Sequence, residues 1–77
     1  LYSGFYSKLH RKYGDLLSSK EQQIIVLMVA GFSTKEISVI TGQTTATIYV
    51  RKSSIRKKLG VPEKEDIVAF LKNRGKD

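Results

Sequence analysis

The chain has 77 residues, a net charge of +7 and no cysteine. Such a length supports one domain with a modest core, and disulfides, thiolate zinc sites and a cysteine nucleophile are excluded. The positive charge points to nucleic acid or an anionic membrane surface, while the longest apolar run, Ile24 to Ala30, is far too short to span a bilayer.

Six glycines, at 4, 14, 31, 42, 60 and 75, divide the chain into helix-sized pieces. In the first, Tyr2, Phe5, Tyr6, Leu9 and Tyr13 recur at three- and four-residue steps, an amphipathic helix that Gly14 stops. Its aromatic stripe is better explained as core than as a stacking platform for single strands. Next comes LLSSKEQQIIVLMVAG, in which Ser18 with Glu21 and Ser19 with Gln22 make two overlapping capping boxes. Either opens a helix that Gly31 ends. The run IIVLMV is also compatible with a buried strand on periodicity alone; the box and the glycine favour helix. An apolar helix of this kind needs cover on more than one side. Ser33 and Glu36 form a third box, with Phe32 and Ile37 at the positions of a hydrophobic staple, and predict a short helix ending at Gly42. Thr44 is the next N-cap, opening a helix to Leu59 that Gly60 terminates. After Pro62, Glu63, Glu65 and Asp66 fill a predicted first turn, Ile67, Val68, Phe70 and Leu71 form the apolar side, and Lys72 and Arg74 close the last helix before Gly75. Five helices and no strand are predicted.

The long basic helix carries the functional signal. Arg51, Lys52, Arg56, Lys57 and Lys58 crowd eight positions, and no acid occurs between Glu36 and Glu63. A surface that only confers solubility mixes both signs. At about 100° per residue, Ile48, Ile55 and Leu59 share one face with position 52, whereas Ala46, Tyr49, Val50, Ser53 and Lys57 lie opposite. Arg51, Ser54 and Lys58 border one flank and Arg56 the other. Such a helix suits the major groove, its edge cations meeting phosphates on either side. The hydroxyls of Thr44, Thr45 and Thr47 at its N-terminus suit a phosphate as well. Ser38, Gly42 and Ile48 supply the small crossing residue, the turn glycine and the apolar plug of a helix-turn-helix.

The stretch LSSKEQQIIVLMVAGFSTKEISVITGQTTATIYVRKSSIRKKLGV, residues 17 to 61, resembles the LuxR-type (GerE-like) helix-turn-helix domain. That family's approximate pattern is L-T-x-x-E, an apolar helix, G-x-S-x-K-E-I-A, S-x-x-T-V and I-x-x-K-L-G-V. The resemblance implies a four-helix DNA-binding domain whose third helix reads the major groove and whose fourth often makes a dimer. By position it implies that Glu21 is the first-helix acid and that Lys35, Glu36 and Ile37 match K-E-I. It makes Thr44 a cap, Thr47 a phosphate contact, Tyr49, Val50 and Ser53 groove-facing residues, and Lys58 a phosphate-contacting lysine. Thr41, Gln43, Ser38, Lys52, Arg51 and Tyr49 depart from the family's usual residues.

The resulting expectation is an all-α, small helical bundle: a four-helix LuxR-type core over residues 17–74, preceded by an extra N-terminal amphipathic helix or linker over residues 1–16. The expected activity is sequence-specific binding of double-stranded DNA as the output domain of a bacterial transcriptional regulator. Its DNA-binding residues would be Lys35, Thr44, Thr45, Thr47, Tyr49, Val50, Arg51, Ser53, Arg56, Lys57 and Lys58. Tyr49 also admits an ordinary half-buried role, and the edge cations a solvent-facing one. Val68, Leu71 and Lys72 are the candidates for homodimerisation through the last helix. Two alternatives are a promoter module that contacts RNA polymerase, like the last region of sigma factors, and a helix-turn-helix turned to protein interaction. An anionic-surface binder is weaker, because the apolar residues are needed inside. No catalytic group, metal or cofactor is expected: His10 has no cysteine beside it, and Glu65 and Asp66 more simply cap a helix. A first residue of Leu1 suggests a piece of a longer protein, and the composition suggests the cytoplasm without a membrane segment or leader.

Overall fold

The computed structural model describes residues 10–75, with side chains through residue 73. The elements are α1, described over residues 10–13, then α2 (Ser19–Val29), α3 (Thr34–Thr41), α4 (Thr45–Leu59) and α5 (Ile67–Gly75), with no strand among the described residues. The IIVLMV run is therefore helical. Tyr2, Phe5, Tyr6 and Leu9 of the expected aromatic stripe lie outside the described residues; its last member, Tyr13, is half-buried against the core.

Short-range polar bonds start each of the helices α2 to α5. Of the two overlapping boxes, Ser18 and Glu21 form the one that caps α2: the Glu21 N–H donates to Ser18 Oγ at 3.2 Å and the Ser18 N–H to Glu21 Oε1 at 2.8 Å. Gln22 instead donates its amide to the Leu17 carbonyl at 3.1 Å. Ser33 and Glu36 make the reciprocal pair at α3, with bonds of 2.8 and 3.1 Å. Ile37 is fully buried, while its staple partner Phe32 stays exposed. Thr44 Oγ1 accepts the Thr47 N–H at 3.1 Å and caps α4. The last helix begins later than expected. Glu63 and Glu65 lie in a turn closed by the Glu65 N–H on the Pro62 carbonyl at 2.9 Å. Asp66 is the cap of α5, its Oδ2 accepting the Ala69 N–H at 3.1 Å. Aspartate reaches the free N–H groups of its own first turn and is a far commoner N-cap than glutamate.

The turn between α3 and α4 sets how the two helices cross. Gly42 has φ 71° and ψ 18°, and its N–H donates to the Ser38 carbonyl. The Gln43 N–H reaches the same carbonyl at 3.1 Å, and the Ser38 hydroxyl donates to the Gln43 carbonyl. No atom would crowd a Cβ at Gly42, so the left-handed dihedral alone selects glycine. Ser38 thus adds a side-chain bond that ties the turn.

Ile24 and Ile25 of α2, Ile37 of α3 and Ile48 and Ile55 of α4 are fully buried at the centre. Leu17, Val61, Ile67, Phe70 and Leu71 complete the core. α2 packs on α3, α4 and α5, and α3 packs on α4. A helix apolar around much of its girth is covered on several sides.

Candidate nucleic-acid interface

Burial divides α4 along its length. Ile48 and Ile55 are sealed inside, whereas Tyr49 is 62% and Val50 69% exposed. Ala46, Ser53 and Lys57 are exposed with them. The spacing that buries one face necessarily presents the other. Val50, Ser53, Ser54, Lys57 and Lys58 line a shallow depression on this outer side. Thr44 and Thr45 are exposed at the helix start and Thr47 is half-buried. The Thr44 hydroxyl donates to Thr47 Oγ1 at 2.9 Å. Lys35 is exposed on the first turn of α3. The structure therefore exposes Thr44, Thr45, Tyr49, Val50, Ser53, Lys57 and Lys58 along α4, leaves Thr47, Arg51 and Arg56 half-buried, and exposes Lys35 on the preceding helix.

Four of the five cations of α4 are held by the protein's own groups. Arg51 Nε donates to Gln43 Oε1 at 2.6 Å, and Arg56 Nη1 to the Pro62 carbonyl at 3.2 Å. Lys52 Nζ donates to Thr34 Oγ1 at 2.6 Å and lies 5.9 Å from the centre of the Tyr49 ring. Lys58 Nζ donates to Glu21 Oε1 at 2.7 Å, and Ser54 Oγ donates to Glu21 Oε2 at 2.8 Å. Glu21 is only 4% exposed. Burial by itself raises its pKa, but the bonds from Lys58, Ser18 and Ser54 outweigh that and bring it down to about 2. Glu36 is lowered as well, by the backbone and then the hydroxyl of Ser33.

Sequence reasoning placed Lys52 on the packing face and left Glu21 and Gln43 without a part in this surface. Each owes its role to a partner on another element. The available signal for Glu21 was that it is the sole acid of α2, a helix otherwise mostly apolar. The dimer candidates fare unequally. Leu71 is 5% exposed and belongs to its own chain's core, because α5 turns Ile67, Phe70 and Leu71 inward together. Val68 is half-buried and Lys72 exposed. Among the described residues no three histidine, aspartate or glutamate side chains gather where an ion would sit, and no helix is long and apolar enough to cross a membrane.

Residues 15–71 match the model of the family described as "GerE: Bacterial regulatory proteins, luxR family". The chain belongs to the LuxR family of bacterial regulatory proteins. Its LuxR-type match runs from just after α1 to Leu71 of α5, and α3 and α4 form the family's helix-turn-helix. A curated relative, the transcriptional regulatory protein MctR of Rhizobium johnstonii, is 34% identical over 61 residues. The similarity covers 79% of this chain but 28% of that relative. No solved structure matches the chain significantly.

Proposed function

We propose that the chain is the output domain of a transcriptional regulator and binds double-stranded DNA in a sequence-specific way, with α4 in the major groove. The observation that carries this is the division of α4. One side is fixed in the core by Ile48 and Ile55, and the other offers Tyr49, Val50 and Ser53 between basic edges. A major groove admits one helix and displays a distinct pattern of donors and acceptors for each base pair. Tyr49, Val50 and Ser53 meet base edges. Thr47, Arg51, Arg56 and Lys57 meet the phosphates that fix register. Thr44, Thr45 and Lys35 extend the backbone contacts at the start of the recognition helix and on α3. Membership in a family of bacterial regulatory proteins and a relative that is a transcriptional regulator support this reading.

Two copies are paired through α5, with Val68 and Lys72 on the contact surface, so that the site has two half-sites. A second reading, contact with RNA polymerase beside the promoter, is favoured by Val39 and Ile40, apolar residues exposed on α3. Selection from a random duplex library tests both. Enrichment of one motif repeated in two symmetric half-sites is the expected outcome. A single-copy, asymmetric motif favours the polymerase-contacting reading, and absence of any enriched motif refutes sequence-specific binding.

A further inference from the structure

The cationic rim of α4 carries a counter-charge behind it. Glu21 comes from α2, 37 residues before Lys58, yet its Oε1 sits 2.7 Å from the Lys58 ammonium. Both carboxylate oxygens are engaged, Oε1 also by the Ser18 N–H and Oε2 by the Ser54 hydroxyl, so the group is fixed in place. Lys58 itself opens onto the outer depression beside Val50, Ser53 and Lys57. It is thus a cation on the DNA-facing surface that already has a buried anion as its partner.

We propose that Glu21 is a further determinant of DNA affinity: it cancels the charge of Lys58 and so removes one sequence-independent phosphate attraction from the recognition helix. The inference rests on the reading of α4 as a duplex-binding helix. Counterion release counts net neutralisation of phosphates. A lysine paired at 2.7 Å with an immobile carboxylate brings a net charge near zero to the duplex. The pair leaves Lys58 a hydrogen-bond donor but not a full electrostatic anchor. The resemblance to the family implies a phosphate-contacting lysine at that position, and the Glu21 pair sets how much net charge it brings to that contact.

The test is the salt dependence of duplex binding by wild type, Glu21→Gln and Glu21→Gln/Lys58→Met, measured by fluorescence anisotropy on a fixed duplex. Glutamine keeps an acceptor for the Ser18 N–H and can donate to the Ser54 hydroxyl. In Glu21→Gln the slope of log K against log salt steepens by about 0.9, and affinity falls about 3- to 4-fold further than in wild type between 50 and 200 mM salt. Adding Lys58→Met removes that increment. An unchanged slope in Glu21→Gln overturns the inference, as does weaker binding at every salt concentration, which would make Glu21 a positioning residue. If Glu21→Gln does not fold, as judged by circular dichroism, the double variant is compared with wild type, and a slope shallower by the full ~0.9 overturns the inference because Lys58 was then already delivering its charge. Wild type that binds duplex with a normal slope while Glu21→Gln behaves identically sinks this inference alone. Wild type that binds no duplex sinks the DNA-binding reading and this inference with it.

Discussion

Lys58→Met probes the Glu21 pair through stability. The Glu21 side chain is 5% exposed and that of Lys58 37%, so the pair is buried at one end and open at the other. Breaking a fully buried pair costs about 3–5 kcal/mol, because the remaining charge has no compensation. Here water reaches the vacated side, and Glu21 keeps its bonds from Ser18 and Ser54. The expected cost is therefore about 1–3 kcal/mol. At roughly 4–8 °C per kcal/mol for a domain of this size, the melting temperature falls by about 4–24 °C at pH 7. The sign of the pH dependence follows from the lowered pKa. A carboxyl depressed from 4.5 to about 2 contributes stability that is present above 4.5 and is lost as pH falls through 2. Without Lys58 the burial of Glu21 pushes its pKa upward, so protonation at acid pH relieves the variant. The difference between wild type and Lys58→Met is largest near neutrality and shrinks as pH falls toward about 2, the pKa of Glu21 in the wild type. Thermal melts followed by circular dichroism from pH 7 to pH 2.5 measure it. Melting temperatures that agree at pH 7, or a difference that stays constant into acid, would refute the claim that Lys58 neutralises a buried carboxylate.

Gly42→Ala costs about 1–2 kcal/mol, because φ is 71° and nothing else opposes a Cβ, while Gly42→Asn costs less; equal melting temperatures for all three proteins would remove the dihedral explanation. Arg56→Ala weakens binding to all duplexes alike and makes the salt slope shallower by about 0.9, whereas Tyr49→Ala changes which sequence is preferred. Selections run on both variants check this, and uniform losses for both contradict the division between phosphate and base contacts. Val68→Asp reduces self-association in sedimentation without lowering the melting temperature of the monomer; no change in association removes α5 from the dimer proposal.

Much of this architecture is legible in sequence because it is local. A serine and a glutamate three apart satisfy each other's helix-end groups wherever they occur. Ser18 with Glu21 and Ser33 with Glu36 do so here, and Gly42 and Gly60 take the left-handed dihedrals their positions suggest. The outward face of α4 follows from the helical period once Ile48 and Ile55 are inside. What escapes depends on distant partners or on fine competition. Glu63, Glu65 and Asp66 look equivalent as acids of a first turn, but the short side chain of Asp66 takes the cap and moves the helix start. Leu71 is indistinguishable in the sequence from a surface dimer residue until the rotation of α5 against α2 buries it. The Lys58 and Glu21 pair spans 37 positions and is fixed by the packing of α2 against α4. Arg51, unusual for the family at its position, is matched by Gln43, which is unusual as well, and each departure supplies the other's partner.

The most direct test of α4 as the duplex-reading element is an NMR titration of the labelled domain with its selected DNA site. Amide shifts concentrated at Thr44, Thr47, Tyr49, Val50, Ser53 and Lys57, with the buried Ile48 and Ile55 little affected, are the expected result. Shifts confined to α5 or to Val39 and Ile40, with the outer face of α4 silent, would contradict it.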